Sequence, residues 1–261
     1  MMLIPIFFMR RARTACSIAS VLLISAAPGV SSAEEEVDAN AKAILQKSDE
    51  IRFPLQGFEV AVRIRSIESG GEPEVRAFKV LSKGNENTIV LTTAPASESG
   101  QILLMKARDL WLFVPNVSQP VRLSLSQRLT GVVSNGDIAR ANFSGDYTPK
   151  IAGTETIDGQ TYNVLELVAV DRTVAYQKVR YWVRQGTNAP YKAEFYSLSG
   201  RLLKTCTYED YKPLGGRLRP TRLVMTDALR ADTRSFMEYE NMKLRDLPDK
   251  VFTKEYLKKL E

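Results

Sequence analysis

The sequence predicts a mainly β (α+β) domain, built as one strongly curved antiparallel sheet that forms an unclosed barrel covered by helices. Segments in which apolar and polar residues alternate recur along most of the chain, as in strands with one buried face. Turn-forming pairs such as Asp158-Gly159 and Gly215-Gly216 separate them. Helical spacing of apolar residues precedes and follows the strands. About ten successive strands with this pattern favour a curved sheet or an incomplete barrel.

The first segment, residues 1–33, has the layout of a cleavable secretory signal peptide. A basic cluster (10–13) precedes a short apolar run, and small residues stand before three glutamates. Cleavage is predicted to leave 34–261 as a single domain, whereas an uncleaved segment would be an N-terminal anchor. The start of translation has two candidates, because Met9 would place the basic cluster at the N-terminus and Met1 would not.

The charge content argues against nucleic acid as a partner, and the cysteine content argues against a disulfide within the molecule. The chain has 36 Lys and Arg against 30 Asp and Glu, and the predicted signal peptide contains three of the Arg, so 33 against 30 remain. A nearly neutral chain with interspersed charges does not favour nucleic acid as a partner. Only Cys206 of the two cysteines would remain after cleavage, so no disulfide can form within one exported molecule. The domain must therefore be stabilised by its hydrophobic core.

The predicted domain begins with a helix over residues 37–52, where apolar residues recur every three or four positions. Pro54 ends this helix, because the residue before a proline avoids the helical conformation. Alternation then predicts the next strands, which are 58–64, 75–81 and 88–93.

A strongly apolar hairpin, GQILLMKARDLWLFV (residues 100–114), follows these strands. The polar break at 106–109 provides its turn. Alternation places Trp111 and Phe113 on one face of the second strand, and we expect that face to be the concave one.

The alternation stops between Leu123 and Phe143, and Ser134 followed by Asn135-Gly136-Asp137 indicates a helix start or an irregular segment. A curved sheet needs a cover over its concave face, and the candidates are the N-terminal helix and the segment 124–145. Strands then resume and a final amphipathic helix ends the chain. The strands are 161–170, 177–184, 191–197, 202–211, 217–226 and 234–242, and the helix is 253–260.

The residues needed for most enzymatic chemistry are missing. The chain has no histidine, which excludes Ser-His-Asp and Cys-His catalysis and the commonest transition-metal ligand. Nucleotide-binding, nucleophile-elbow and EF-hand motifs are absent, and Cys206 is interpreted as a packed thiol within a strand. Carboxylates are compatible with a two-carboxylate hydrolase by composition alone, but they fall at turns, caps and polar strand positions. We therefore predict no enzyme, catalytic residue, metal site or cofactor.

A series of phrases in the sequence resembles one protein family. The phrases are residues 110–115, 153–159, 162–167, 176–183, 190–196, 200–205, 220–226 and 252–257. In this order and spacing they resemble the bacterial outer-membrane lipoprotein-sorting protein family, the LolA-like group of the LolA/LolB superfamily. The chain departs from the family at 134–138, where members usually have a Gly-Ser-Asp-Phe type phrase and this chain has Ser-Asn-Gly-Asp-Ile.

The resemblance implies an unclosed antiparallel barrel covered by helices, and a periplasmic carrier that binds lipid or lipoprotein acyl chains and moves them toward the outer membrane. The expected partners are those acyl chains, an inner-membrane transporter and an outer-membrane acceptor. Alternatives are an envelope sensor or interaction module, and an accessory subunit of a lipid export pump. From strand alternation, the candidate cavity residues are Phe58, Val60, Val62, Ile64, Trp111, Phe113, Val179, Tyr181, Val183, Phe195, Leu223 and Met225, and the candidate lid residues are Ser134, Asp137 and Ile138.

Overall fold

Strands dominate the computed structural model, which describes residues 38–68 and 70–257. The predicted signal peptide lies outside these residues. The strands are β1 (Phe58–Ile67), β2 (Glu74–Lys83), β3 (Asn87–Ala94), β4 (Ile102–Lys106), β5 (Asp109–Phe113), β6 (Val121–Leu123), β7 (Arg128–Thr130), β8 (Val133–Ser134), β9 (Tyr147–Ile157), β10 (Gln160–Ala169), β11 (Lys178–Arg184), β12 (Pro190–Tyr196), β13 (Leu202–Leu214), β14 (Arg217–Asp227) and β15 (Arg234–Leu244). The helices are α1 (Ala39–Arg52), α2 (Asn135–Ala139), a short 3-10 helix (Asp249–Phe252) and α3 (Lys254–Leu257).

Within the described residues, thirteen of these strands form one antiparallel sheet, and β7 pairs with β8 separately. The order in the sheet is β6-β5-β4-β3-β2-β1-β15-β14-β13-β12-β11-β10-β9. Strand β1 pairs with β15, for example with Val62 opposite Tyr239, so strands from the beginning and the end of the domain are neighbours at the centre. Strands β6 and β9 are the two open edges. The predicted fold class, an unclosed antiparallel sheet with few helices, is confirmed.

The structure corrects the predicted start of the second run of strands. Strand β9 precedes the strand predicted at 161–170, and no separate strand was predicted there. Most side chains of β9 beyond Lys150 are exposed or half-buried, because it is an edge strand. Beyond Lys150 this strand has no buried residue, so it lacks the alternation of buried apolar and exposed polar positions from which the other strands were predicted.

The helix predicted at the N-terminal end is confirmed as α1. Asp38 caps it by accepting a 2.9 Å hydrogen bond from the Ala41 N–H, and Phe53 stands at its end in an extended conformation. One face of the helix packs against the concave side of the sheet. The buried residues of that face are Ala41, Ile44, Leu45, Ser48, Asp49 and Arg52. The buried stripe thus ends in three polar side chains.

Both faces of the β4–β5 hairpin are covered, and this reverses one prediction. Leu103 and Met105 of β4 pair with Leu112 and Leu110 of β5, and these four side chains face the main core. Trp111 and Phe113 have the opposite direction, so the expectation that they face the concave side was wrong. A second cluster of buried apolar residues lies on their side of the sheet, and we call it the outer cluster. Its members are Ile89, Ile102, Leu104, Leu247, Val251, Phe252 and Leu257.

The C-terminal segment explains this arrangement. The 3-10 helix and α3 pack across the convex side of β3 and β4, where Val251, Phe252 and Leu257 are buried. Phe113 packs against this outer cluster, and the Lys254 ammonium lies 5.8 Å from the centre of the Trp111 ring. The hairpin is therefore apolar on both sides because it lies between two layers.

Among the helices in the described part of the chain, none combines the length and the hydropathy needed to cross a membrane.

Candidate functional site

The concave face of the sheet contains the main core. The predicted cavity residues found on it are Phe58, Val60, Val62, Ile64, Val179, Tyr181, Val183, Phe195, Leu223 and Met225, and all are buried. Their side chains form a continuous apolar surface with α1 and α2 above it. Whether they contact a ligand stays a prediction.

Two small cavities lie between this face and its covers. One, of about 30 Å³, is lined by Phe195, Leu223, Met225 and Arg52 among others. The second, of about 20 Å³, is lined by Phe58, Val60 and Val62 together with residues of α2. Pockets that hold small molecules usually measure roughly 300–1,000 Å³. Side chains therefore fill the interior as the structure stands, and an acyl chain can enter only if a cover moves.

Polar groups of α1 connect this helix to the concave face and to the segment that follows α2. The Ser48 hydroxyl lies 2.8 Å from the Tyr181 hydroxyl. The buried Asp49 carboxylate accepts hydrogen bonds from the backbone N–H groups of Phe143 and Ser144, at 3.0 and 2.7 Å. Burial raises the pKa of this carboxyl, against the opposing effects of Arg52 and of the donated hydrogen bonds. Asp49 thus joins α1 to the segment that follows α2.

A buried ion pair connects α2 to the sheet. Lys204 on β13 contacts the Asp137 carboxylate, and their side chains are 3% and 6% exposed. The ammonium also donates a 3.1 Å hydrogen bond to the carbonyl of Val132. The Tyr176 hydroxyl donates to Asp137 at 3.1 Å and lies 2.9 Å from the Ser134 hydroxyl. These contacts therefore attach α2 to β13 and to Tyr176, just before β11.

Further polar contacts hold the segment after α2 against hairpin tips of the sheet. Arg140 donates to both carboxylate oxygens of Asp146, and Arg108 from the β4–β5 turn reaches the same carboxylate at 2.9 Å. Asn85, in the β2–β3 turn, exchanges two hydrogen bonds with the backbone of Asn142, at 3.0 and 3.1 Å. An open polar groove of about 680 Å³ lies beside these contacts.

We call residues 131–146, which contain α2, the α2 cover. The predicted lid residues all belong to it: Ser134 precedes the helix, Asp137 holds Lys204, and Ile138 is buried toward the second cavity. At its start, a Cβ on Gly131 would come within 2.2 Å of the Ser66 hydroxyl oxygen, so the cover approaches the sheet closely there. A role of these residues as a moving lid stays a prediction.

The cysteine within β13 is packed as the sequence suggested. Cys206 is 1% exposed and lines the first cavity. Burial raises the pKa of its thiol to about 12, so the group stays protonated and unreactive at neutral pH.

Sequence reasoning missed the charged side chains of the interior. Arg52 and Asp49 continue the buried stripe of α1, eight and five positions after Ile44, and Lys204 has the same strand parity as Cys206 and Tyr208. Periodicity alone could have placed all of them on the buried faces. Because charged residues are rarely fully buried unless paired, their type argued against that position.

The arrangement has the features of a surface that sequesters apolar groups. A wide apolar face is covered in part by a short segment, which is attached by polar contacts at Asp137, Arg140 and Asp146 as well as by apolar ones. Burial of apolar surface is non-directional and needs no reactive group.

Comparison with known proteins adds the family context. A family model described as "Uncharacterized protein" matches residues 84–259. The comparison with curated proteins finds no match. The crystal structure of a LolA superfamily protein from Nitrosomonas europaea is similar to this chain with 59% sequence identity and a TM-score of 0.80, covering 83% of this chain and 98% of that one.

Two more distant structures share the fold. A DUF1329 family protein from Desulfovibrio piger has 21% identity and a TM-score of 0.71. A domain named for outer membrane lipoprotein sorting, from Vibrio parahaemolyticus, has 20% identity and a TM-score of 0.69. Each match covers 84% of this chain and 98% of the other. At these identities the likeness concerns the fold.

Proposed function

The chain belongs to the LolA superfamily, and from this premise we propose that it is a periplasmic carrier that binds lipid or lipoprotein acyl chains beneath the α2 cover. The carrier moves these chains across the envelope toward the outer membrane. The observation that carries the proposal is the apolar concave face, which is continuous over strands from both halves of the sheet and is covered by a short segment attached through polar as well as apolar contacts.

The energetics of binding are sufficient. Transfer of an acyl chain out of water yields about 0.8 kcal/mol per methylene, so about twelve methylenes yield roughly 10 kcal/mol before the costs of binding. Part of this free energy is consumed when the α2 cover leaves the sheet. The remainder sets the affinity, and it is small enough for the cargo to be passed on.

Export is part of the same proposal. Cleavage after Ala33 would give a mature protein that begins with Glu34. N-terminal sequencing of the protein recovered from the cell envelope tests this, and a chain that retains residues 1–33 would support an N-terminal anchor instead.

The carrier function is tested by extracting the natively purified protein with organic solvent and analysing the extract by mass spectrometry. A bound lipid and saturable uptake of a fluorescent fatty-acid probe are expected. An extract without lipid, combined with no probe uptake, would overturn the proposal. Recovery of one membrane protein at equal stoichiometry in that case would favour the sensor or pump-subunit alternatives.

A matched pair of variants separates ligand contact from packing. Val62→Glu introduces a charge on the concave face, and Ala61→Glu introduces the same charge at the exposed neighbouring position. Probe uptake, measured per folded molecule, should fall strongly for Val62→Glu and stay near the wild-type value for Ala61→Glu. If uptake falls only in proportion to the loss of folded protein, Val62 serves packing alone.

A further inference from the structure

The interior contains an arginine whose hydrogen-bonding capacity is largely unused. Arg52, at the end of α1, is 7% exposed, and its Nε has no hydrogen-bond partner among the described residues. Its guanidinium makes one polar contact there, a long one of 3.4 Å from Nη1 to Oδ1 of Asp49. A buried guanidinium normally has its N–H groups paired, because each unpaired polar group costs free energy.

The carboxylate beside Arg52 is committed elsewhere. Asp49 accepts the shorter hydrogen bonds from the backbone of Phe143 and Ser144, in the α2 cover. Asp49 therefore compensates the charge of Arg52 only in part.

The position of Arg52 directs this charge toward the first cavity. Its guanidinium carbon lies 4.3 Å from the centre of the Phe143 ring and 5.3 Å from that of Tyr208. All three residues line the 30 Å³ cavity, whose other walls include Leu223 and Met225. Contacts through the aromatic faces leave the planar N–H groups of a guanidinium free for an acceptor.

We propose that Arg52 binds the anionic head group of a long-chain amphiphile, a carboxylate or a phosphate, whose acyl chain lies along the apolar concave face. The inference rests on the proposed carrier function and specifies its cargo class. A guanidinium matches the paired oxygens of a carboxylate or phosphate through two parallel hydrogen bonds. The anion also compensates the part of the Arg52 charge that Asp49 leaves uncompensated. Entry of the head group requires that α2 and residues 140–142 move aside while Phe143 and Ser144 keep their hydrogen bonds to Asp49.

The test compares three ligands with one sixteen-carbon chain: palmitate, 1-palmitoyl lysophosphatidate and the neutral hexadecanol. Their affinities are measured by displacement of a neutral apolar fluorophore from the purified protein. The wild type should bind at least one of the two anions about 10- to 100-fold more tightly than hexadecanol, the factor expected for hydrogen bonds to a charged group. Preference for palmitate or for lysophosphatidate tells a carboxylate head group from a phosphate.

Three variants locate the effect. Arg52→Met should remove the preference for anions and leave hexadecanol affinity within about twofold, and Arg52→Lys should keep part of the preference. Arg65→Met is the control, since it removes the same charge from the convex face, where Arg65 lies over Phe236. If Arg52→Met does not fold, the inference is tested by comparing the preference for anions of the wild type with that of Arg52→Lys, which should be smaller.

The outcomes separate this inference from the carrier function. Equal wild-type affinities for hexadecanol and both anions would overturn the inference and leave the carrier function standing. The same holds if Arg52→Met weakens all three ligands alike, or if Arg65→Met abolishes the preference as Arg52→Met does. Binding of none of the three ligands would overturn the carrier function, and the inference with it.

Discussion

Helix α1 and the α2 cover lie over the same concave face but are attached to it in different ways. Helix α1 has nearly four turns, buries Ile44 and Leu45, and ends where Arg219 donates hydrogen bonds of 2.6 and 2.9 Å to its last carbonyls. The α2 cover has a helix of only five residues. It buries Val133, Ile138, Ala139 and Phe143, and it is also attached through the Lys204–Asp137 pair and the network around Asp146.

The difference concerns how each attachment fails. Apolar contacts weaken gradually, since each methylene contributes separately. A buried ion pair is lost as a unit, and its two charged groups regain water when the cover opens, which offsets part of the cost of breaking it. We expect α1 to stay in place and the α2 cover to be the part that leaves the sheet. Cys206 beneath the covers reports this opening, because its thiol reacts as a thiolate only when exposed.

The largest effect is expected from breaking the ion pair of the α2 cover. Lys204→Met leaves Asp137 buried without its cation, which should lower the free energy of unfolding by about 3–5 kcal/mol, measured by urea denaturation. Reaction of Cys206 with a thiol reagent under native conditions should accelerate. The double variant Lys204→Met/Asp137→Asn removes both charges and should recover most of the lost stability. A loss below about 1 kcal/mol in the single variant would show that this pair does not hold the cover.

A smaller loss in the free energy of unfolding is expected when the packing of α1 is weakened. Leu45→Ala removes a side chain that is 1% exposed and should cost about 3 kcal/mol, as for other large-to-small core changes. The control is Lys47→Ala on the exposed face, which should change the free energy of unfolding by less than about 0.5 kcal/mol. Native-state labelling of Cys206 should keep the wild-type rate, because it follows opening of the α2 cover. A rate well above that of the wild type would mean that α1 opens locally, and would erase the contrast between the covers.

The smallest effect is expected at the hydrogen bonds between Asn85 and Asn142. Asn85→Gly removes both bonds and keeps the positive φ of 59° accessible, so it should cost about 1–2 kcal/mol and modestly accelerate Cys206 labelling. Asn188→Gly is matched to it, with a φ of 57° in the β11–β12 turn. Equal effects of both substitutions on labelling would show that the Asn85 contact does not restrain the cover.

Much of this architecture could be predicted from the sequence, because alternation and helical spacing record burial directly. Helix α1 and the strands with one exposed face were predicted near their observed positions. Strand β9 was missed, since at an open edge few of its side chains are buried. The candidate site was predicted for its apolar part, such as Val62 and Phe195. Its charged part, Arg52 and Lys204, was missed because charged residues are rarely buried unless they are paired.

The amino-acid sequence by itself determined which residues share a face of each strand, where the chain turns, and that histidine-dependent catalysis is excluded. The tertiary structure decided which of the two faces is concave. In the hairpin GQILLMKARDLWLFV both faces are apolar, so Leu110 and Trp111 were equivalent candidates for the interior. Packing of the C-terminal segment on the convex side assigned Trp111 and Phe113 to the outer cluster. The physical reason is that alternation is a local property of a strand, whereas the direction of curvature depends on contacts made by segments distant in sequence.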